Sequence, residues 1–174
     1  EEYYGDFTVD IGFIGGWRPE REIVLEYLIT HFPELVIEIH GYYWRRNCRS
    51  EVVRSKVKSD GIFGVETSNF FKKTRINLNV IDDTNFPAAN MRFFEISGVG
   101  ALQVCSSCLE MSHVYKDYDA CLYFDDLNEL KLKIEWILKN PIHSGEIRLK
   151  SKQITVEQNT YRARLLEIIK FLDT

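Results

Sequence analysis

The sequence has few cysteines, no long apolar run and no excess of basic residues. Four cysteines in 174 residues are too few for a disulfide framework. No apolar run is long enough to span a membrane, and the amino terminus, EEYY, lacks the positive and apolar regions of a signal peptide. These absences predict a soluble, cytoplasmic protein. The chain begins at Glu1 rather than at a methionine, which suggests that it is part of a longer protein.

The charge balance argues against nucleic acid as a partner. Acidic residues outnumber basic ones by 26 to 22, and no basic block alternates with aromatic residues. An apolar share of 45% and a charged share of 28% are typical of a globular domain. The length suits one domain with a core of its own, which we place at residues 1–174.

The cysteines do not predict a metal site either. Cys105 and Cys108 form a lone C-x-x-C pair, whereas a structural zinc site needs two such pairs or two histidines at matching spacing. Only His113 lies nearby in the sequence. We therefore expect no bound metal, with Cys105 at the end of a buried strand and Cys108 packed in the loop after it.

Apolar residues alternate between a period of about two and a period of about 3.6 along the chain. Strands are predicted at residues 9–14, 35–39, 62–65, 76–80, 101–105 and 121–124. Helices are predicted from Pro19, around residues 67–72, around 90–95, at 127–138 and at the carboxyl end, 155–174, where 161–172 is clearly amphipathic. Residues 42–60 are interpreted as a loop with one weak helix. This order predicts an α/β, Rossmann-like open parallel sheet of about six strands with helices on both faces.

The segment between residues 76 and 105 contains the most informative pattern. A strand is followed by a polar loop that ends at Pro87, a short helical segment with Arg92 and Glu95, and the glycines Gly98 and Gly100 before the next strand. Such a unit points the amide end of its helix at whatever lies beyond the strand, which in open parallel sheets is commonly a phosphate-bearing ligand.

Several short motifs occur in an order that resembles one known family. They are FIGGWRPER at 13–21, IHG at 39–41, INLN at 76–79, RFFE at 92–95, GVGAL at 98–102, LYFD at 122–125, EL at 129–130, NP at 140–141 and TYRAR at 160–164. The set resembles the carboxyl-terminal half of group 1 glycosyltransferases of the two-domain GT-B type, and most of all the spore-maturation-type subgroup.

The resemblance implies a domain that binds a nucleotide-sugar donor, UDP- or GDP-linked, and transfers the sugar without a metal or other cofactor. It also implies an amino-terminal acceptor domain in the same longer chain. Glu95 matches the second of the family's two glutamates, which accepts hydrogen bonds from the ribose hydroxyls. The first glutamate is replaced by Pro87, eight positions earlier. Val65 and Glu66 match positions that contact the base, although an ordinary exit from a strand would equally explain them.

The same residues have a physical interpretation of their own. Departure of a nucleoside diphosphate builds negative charge, so a metal-free site needs fixed cations and helix amides aimed at the phosphate oxygens. Arg92 and Arg18 are the candidates for catalytic cations, although Arg18 equally suits a solvated surface position. Gly15 and Gly16 would let the backbone approach a phosphate, or would simply form a strand-to-helix turn.

Other candidates have open alternatives. His40 either binds a phosphate or sugar hydroxyl or is structural, and Asn90 either caps the helix or contacts the donor. Trp17, Tyr42, Tyr43 and Trp44 either line a cleft or close the core. A different function also stays open, since a non-catalytic Rossmann-like nucleotide-binding or protein-interaction module would explain the proline at position 87. A receiver-type signalling domain fits worse, because the spacing of Asp10 with Asp82 or Asp83 does not suit it.

Overall fold

Six short strands form one open sheet in the computed structural model, which describes residues 6–82, 84–85 and 88–172. The strands are β1 (Val9–Ile14), β2 (Ile37–His40), β3 (Val57–Ser59), β4 (Thr74–Asn79), β5 (Gln103–Ser106) and β6 (Leu122–Phe124). Their order is β3-β2-β1-β4-β5-β6, and every neighbouring pair is parallel. The predicted fold class is therefore confirmed.

Helices make the crossover connections that parallel strands require. They are α1 (Pro19–His31), α2 (Trp44–Asn47), α3 (Glu51–Ser55), α4 (Val65–Lys73), α5 (Met91–Gly98), α6 (Leu109–Ser112), α7 (Leu127–Lys139), α8 (Pro141–Gln158) and α9 (Tyr161–Leu172). None of the helices in the described part of the chain is both long and apolar enough to cross a membrane.

The core lies on both faces of the sheet because side chains alternate along each strand. Ile11 and Phe13 of β1 pack with Leu25 and Leu28 of α1 in the largest apolar cluster, which α7 also joins. Ile14 belongs to a different cluster, formed with Phe70 and Phe71 of α4 and Ile96 of α5. Each fully buried side chain of this size contributes about 1.5–3 kcal/mol by leaving water.

The strand order reverses between β1 and β4, since the chain moves outward from β1 in one direction through β2 and β3 and in the other through β4, β5 and β6. Loops that leave the carboxyl ends of these two strands diverge and leave a crevice, where open α/β sheets usually bind ligands. The loop after β1 contains Gly15 and Gly16, and the connection after β4 leads to α5.

The largest error in the sequence-based assignment concerns residues 42–65. The expected loop at 42–60 contains α2, α3 and the edge strand β3, and the expected strand at 62–65 is absent, because α4 begins at Val65. Strand β3 is three residues long and includes Lys58, so it carries no apolar alternation. Gly64, with φ of 57°, precedes α4 in a conformation that favours glycine.

The carboxyl-terminal helix α9 has the bounds of the amphipathic pattern at 161–172, whereas the start of the wider range 155–174 belongs to another helix. Helix α7 ends before Asn140 as predicted, but Pro141 immediately starts α8, where proline suits the first turn. Residues 155–158 belong to α8. Asn159 and Thr160 are not helical and separate α8 from α9. The α9 residues Leu165, Leu166, Ile168, Ile169 and Leu172 are exposed.

Helix α5 begins at Met91, after its N-cap Asn90, whose side chain accepts a hydrogen bond from the backbone N–H of Phe93 at 3.0 Å. Pro87, the residue expected to start this helix and the position where a glutamate was expected, lies outside the described residues. Capping of this kind contributes about 1 kcal/mol to helix stability.

Gly41 is required for the close contact between the loops that follow β1 and β2. A Cβ atom at Gly41 would lie 1.9 Å from the backbone oxygen of Gly15, whereas one at Gly16 would meet no atom closer than 3.8 Å. We expect Gly41→Ala to lower the free energy of unfolding by roughly 1–3 kcal/mol or more, as overpacking does. Urea denaturation measures this, with Gly16→Ala as the control that should change it little. Equal stability of the two variants would contradict the close approach.

Candidate functional site

Arg92 and Glu95 lie one turn apart on α5 and bind each other. The Arg92 Nη1 atom is 2.6 Å from Glu95 Oε2, and the two side chains are 29% and 41% exposed. The Arg92 guanidinium also lies over the Phe71 ring, 5.6 Å from its centroid. Both charged groups are therefore held at the surface of α5 and accessible to a ligand, rather than packed in the core.

The two side chains line a cleft of about 260 Å³ between α4 and α5. The loop after β3 and the start of α4 form the opposite wall. The lining residues are Ile62, Phe63, Gly64, Thr67, Ser68, Phe71, Arg92, Glu95 and Val99. The cleft thus combines a cation, a carboxylate, two hydroxyls and aromatic surface, which suits a ligand that has both a planar ring and polar groups.

Val65 and Glu66 flank this cleft but occupy a different element from the one expected. The sequence placed them beyond the carboxyl end of a strand, whereas they form the first turn of α4, and both are exposed. Their neighbours Gly64 and Thr67 line the cleft. A base-contacting role for Val65 and Glu66 stays a prediction.

The loops after β1 and β2 are joined by backbone hydrogen bonds. The N–H of Gly15 donates to the oxygen of His40, and that of Trp17 donates to the oxygen of Tyr42, each at 2.9 Å. The Trp17 indole donates to Glu22 Oε2 at 2.5 Å. Gly15, Gly16 and Trp17 therefore form a fixed turn, and none of them is among the residues that line the cleft described above.

The four aromatic candidates separate into two groups. Trp44 is fully buried, its indole donates to the oxygen of Gly15 at 2.7 Å, and its ring packs edge-on against Phe13. Tyr42 and Tyr43 are exposed, whereas Trp17 is half-buried. Trp44 thus closes the core, and the two tyrosines remain available at the carboxyl edge of the sheet.

Arg21 lies at the crevice between β1 and β4, and sequence reasoning did not single it out. Its guanidinium donates to the oxygens of Gly16 and Val80 and binds Asp82 Oδ2 at 3.0 Å. The Arg21 and Asp82 side chains are only 12% and 13% exposed. The strand order would have predicted the contact between Arg21 and Asp82. Because β1 and β4 are neighbours in the sheet, the first turn of α1 faces the loop after β4.

The electrostatics of this pair fit a structural role. Burial lowers the pKa of the Arg21 guanidinium, and the charge of Asp82 opposes that shift. The hydrogen bond from Thr84 and the charge of Arg21 hold the pKa of the Asp82 carboxyl below its usual value, although burial acts in the opposite direction. Arg18, the residue proposed from the sequence as a second catalytic cation, is exposed and is not among the residues that line the cleft.

His40 is buried at the end of β2 and contacts protein groups. Its Nδ1 atom is 2.9 Å from Ser59 Oγ, its Nε2 atom is 3.6 Å from Glu38 Oε2, and its ring packs edge-on against Phe70. Burial lowers the pKa of the imidazole, and the carboxylate of Glu38 opposes that shift. These contacts favour the structural alternative for His40.

Asn90 has the capping position and a second set of partners. Its amide exchanges two hydrogen bonds with that of Asn79 at the end of β4, at 2.9 and 3.1 Å. Together with the cap on Phe93, these bonds tie the start of α5 to the end of β4. The capping alternative for Asn90 is therefore what its contacts support.

The cysteines are in the interior, as expected for Cys105 and Cys108. All four are buried, and burial raises the pKa of the Cys48 thiol to about 11. The pKa values of Cys105, Cys108 and Cys121 are also raised by burial. Among the described residues, no group of three or more His, Cys, Asp or Glu side chains is arranged to hold a metal ion.

Removing the Arg21 guanidinium should destabilise the fold. In an Arg21→Met variant, Asp82 and the oxygens of Gly16 and Val80 lose a buried cationic donor, so we expect the free energy of unfolding to fall by about 3 kcal/mol. Arg18→Met is the control, expected to change it by about 0.5 kcal/mol or less. Chemical denaturation of both variants measures the difference, and similar losses would contradict the structural role of Arg21.

Acidification should destabilise the fold through His40. Because burial lowers the folded-state pKa of His40 below its usual 6.5, the unfolded chain binds the proton first as the pH falls. The contribution of His40 to stability is therefore present above about pH 6.5 and lost below it. We expect the Tm to fall between about pH 7.5 and pH 5.5, and to fall less in His40→Gln. An unchanged pH dependence in that variant would show that His40 is not the cause.

Comparison with known proteins agrees with this architecture. A family model described as glycosyl transferase-like matches residues 18–170. A search among curated proteins found no match. Among solved structures, a glycosyltransferase from Rickettsia africae is 12% identical with a TM-score of 0.74, and the alignment covers 94% of this chain and 47% of that one. The HepE protein of Anabaena, solved in complex with UDP, is 12% identical with a TM-score of 0.72, at coverages of 95% and 49%.

A third structure has a length similar to that of this chain. The C-terminal domain of a group 1 glycosyl transferase from Francisella tularensis is 9% identical with a TM-score of 0.68, and 89% of this chain covers 88% of that domain. The chain spans just under half of the two longer proteins. At such identities the likeness shows the fold, which is one half of the two-domain GT-B fold. Because the family model covers most of its length, the chain belongs to the glycosyl transferase-like family.

Proposed function

We propose that this chain is the donor-binding half of a metal-independent glycosyltransferase and that the cleft between α4 and α5 binds the nucleotide of a UDP- or GDP-linked sugar. The observation that carries the proposal is the placement of Arg92 and Glu95, a cation and a carboxylate, side by side in that cleft. Support comes from the family match and from the UDP complex of the Anabaena neighbour.

Each charged group has a role in this proposal. The Glu95 carboxylate accepts hydrogen bonds from the ribose hydroxyls, since an ionised carboxylate is an acceptor with two oxygens. Arg92 has five N–H donors, so its bond to Glu95 leaves donors for the diphosphate. Negative charge grows on that diphosphate as the sugar leaves, and a fixed guanidinium near the start of α5 stabilises it.

The complete enzyme requires a second half. The chain spans just under half of its longer structural neighbours, and α9 exposes a row of apolar side chains. We infer that an acceptor-binding domain completes the catalytic cleft, and that the present chain alone binds the nucleotide weakly and transfers no sugar. We also propose that the protein belongs to the spore-maturation-type subgroup, because the order of its motifs resembles that subgroup. A cytoplasmic location is part of the same proposal and is supported by the small number of cysteines.

A non-catalytic interaction module is the second candidate function. It is favoured by the bond between Arg92 and Glu95, because two groups that satisfy each other need no ligand. The double variant Arg92→Ala with Glu95→Ala separates the two candidates. Loss of nucleotide binding with an unchanged Tm supports the donor site, whereas a lowered Tm with binding retained supports the structural role.

Binding of nucleoside diphosphates tests the proposed function directly. We expect UDP or GDP to give saturable binding in isothermal titration calorimetry, and Glu95→Gln to weaken it by about 10-fold or more, as for loss of a charge-assisted hydrogen bond. Glu51→Gln is the matched control, because Glu51 forms an Arg–Glu pair at the same spacing on α3, with Arg54. No saturable binding of either nucleotide would overturn the proposal, and equal weakening by both variants would remove Glu95 from the site.

A further inference from the structure

A second cavity, of about 710 Å³, lies on the other side of Glu95. Its volume falls in the range of small-molecule sites. Its wall includes Met91 and Phe94 of α5, Glu110 of α6, and Tyr161 and Arg164 of α9. Glu95 lines both this cavity and the cleft between α4 and α5, so a ligand held at Glu95 has room to extend in both directions.

Glu110 is held in place by the chain that leads into α5. Its Oε2 atom accepts a hydrogen bond from the backbone N–H of Ala89 at 3.2 Å. An ionised carboxylate can accept about four hydrogen bonds, so this contact leaves acceptor capacity for a ligand. The carboxylate is thereby fixed at the wall of the cavity, on the side where the start of α5 lies.

Arg164 is fixed at the break between α8 and α9. Its Nη2 atom donates to Asn159 Oδ1 at 2.7 Å, and the Asn159 amide donates to the hydroxyl of buried Tyr115 at 3.1 Å. The Tyr115 hydroxyl is 2.8 Å from Thr155 Oγ1. The guanidinium is thus connected through Asn159 to the core, although Glu167 also lies 3.6 Å from its Nη1 atom. This network accounts for part of the TYRAR motif, which the nucleotide cleft does not use.

The chemistry of the wall selects the kind of ligand. Two carboxylates, Glu95 and Glu110, disfavour a diphosphate in the cavity because like charges repel. The apolar side chains of Met91, Phe94 and Tyr161 face the same space as these acceptors and the Arg164 donors. An uncharged ring that carries hydroxyl groups and has an apolar face matches this combination, since carboxylates accept from hydroxyls and the guanidinium donates to them.

We propose that this cavity binds the sugar of the nucleotide sugar, an inference that rests on the proposed function. Glu110 and Arg164 are then specificity-determining residues that form hydrogen bonds with the sugar hydroxyls. The nucleotide occupies the cleft between α4 and α5, Glu95 lies at the junction, and the sugar extends into the cavity. The sugar preference is then set by residues of α6 and α9, which lie outside the nucleotide cleft.

Calorimetric titration of the present chain tests this with four ligands: UDP, UDP-glucose, GDP and GDP-mannose. We expect Glu110→Gln to change the affinity for the nucleoside diphosphate by no more than about twofold. The affinity for the nucleotide sugar should fall by about 5- to 10-fold, because one charge-assisted hydrogen bond becomes a neutral one. Arg164→Met should have the same selective effect. The glutamine retains an oxygen that can accept from Ala89, so the fold is preserved.

Glu129→Gln is the matched control, because Glu129 accepts from the backbone N–H of Asp125 at 2.9 Å in the same way but does not line the cavity. It should leave the affinity ratio of nucleotide sugar to nucleotide unchanged. A ratio equally unchanged in Glu110→Gln would overturn the sugar site while the nucleotide site stands. An absence of any nucleotide binding by the unmodified chain would overturn the proposed function and this inference with it.

Discussion

The Arg21 guanidinium connects the loop after β1 to the loop after β4, and the latter leads to the helix that carries Arg92 and Glu95. It bonds to Gly16 after β1 and to Val80 and Asp82 after β4, across the point where the strand order reverses. Loops that diverge at such a point have few contacts with each other, so a long cationic side chain with five donors is an effective link. Since the loop after β4 leads to α5, this link restrains the first residues of the connection that positions Arg92 and Glu95.

Hydrogen bonds of Asn90 restrain the other end of this connection, where α5 begins. Asn90 caps α5 and exchanges two amide hydrogen bonds with Asn79, the last residue of β4. These bonds attach the start of α5 directly to the carboxyl end of β4. Glu110 adds a third attachment through Ala89. The position of the start of α5 is thus determined by polar contacts, whereas Phe93 and Ile96 determine which face of the helix is buried.

Sequence patterns predicted the parts of the fold that have strong apolar periodicity. Strand β1 and helices α1 and α7 were found because their buried residues repeat at the expected spacing, and the spacing of Arg92 and Glu95 correctly placed both on one helical face. Strand β3 and helix α8 were missed, since three residues with a central lysine, or a helix whose buried residues include Ser144, Ser151 and Thr155, give no such signal. The Arg21–Asp82 contact joins residues 61 positions apart and follows only from the strand order. Glu110 of α6 and Arg164 of α9 line the same cavity through tertiary packing, including that of α8 on α5 and on α9, which no local pattern reveals.

The exposure of the two arginine pairs explains why one is assigned to structure and the other to binding. Arg21 and Asp82 are about nine-tenths buried, so the fold has already removed them from water, and breaking the pair leaves a buried charge. Arg92 and Glu95 are 29% and 41% exposed, and an i, i+3 pair at that exposure contributes only about 0.3–0.5 kcal/mol. Hydrogen bonds from a ligand to charged groups contribute about 1.5–3 kcal/mol each, which exceeds the strength of this pair. The pair is therefore weak and holds both groups toward the cleft, and under the proposed function a ligand can use the remaining donors of Arg92 and the remaining acceptor sites of Glu95.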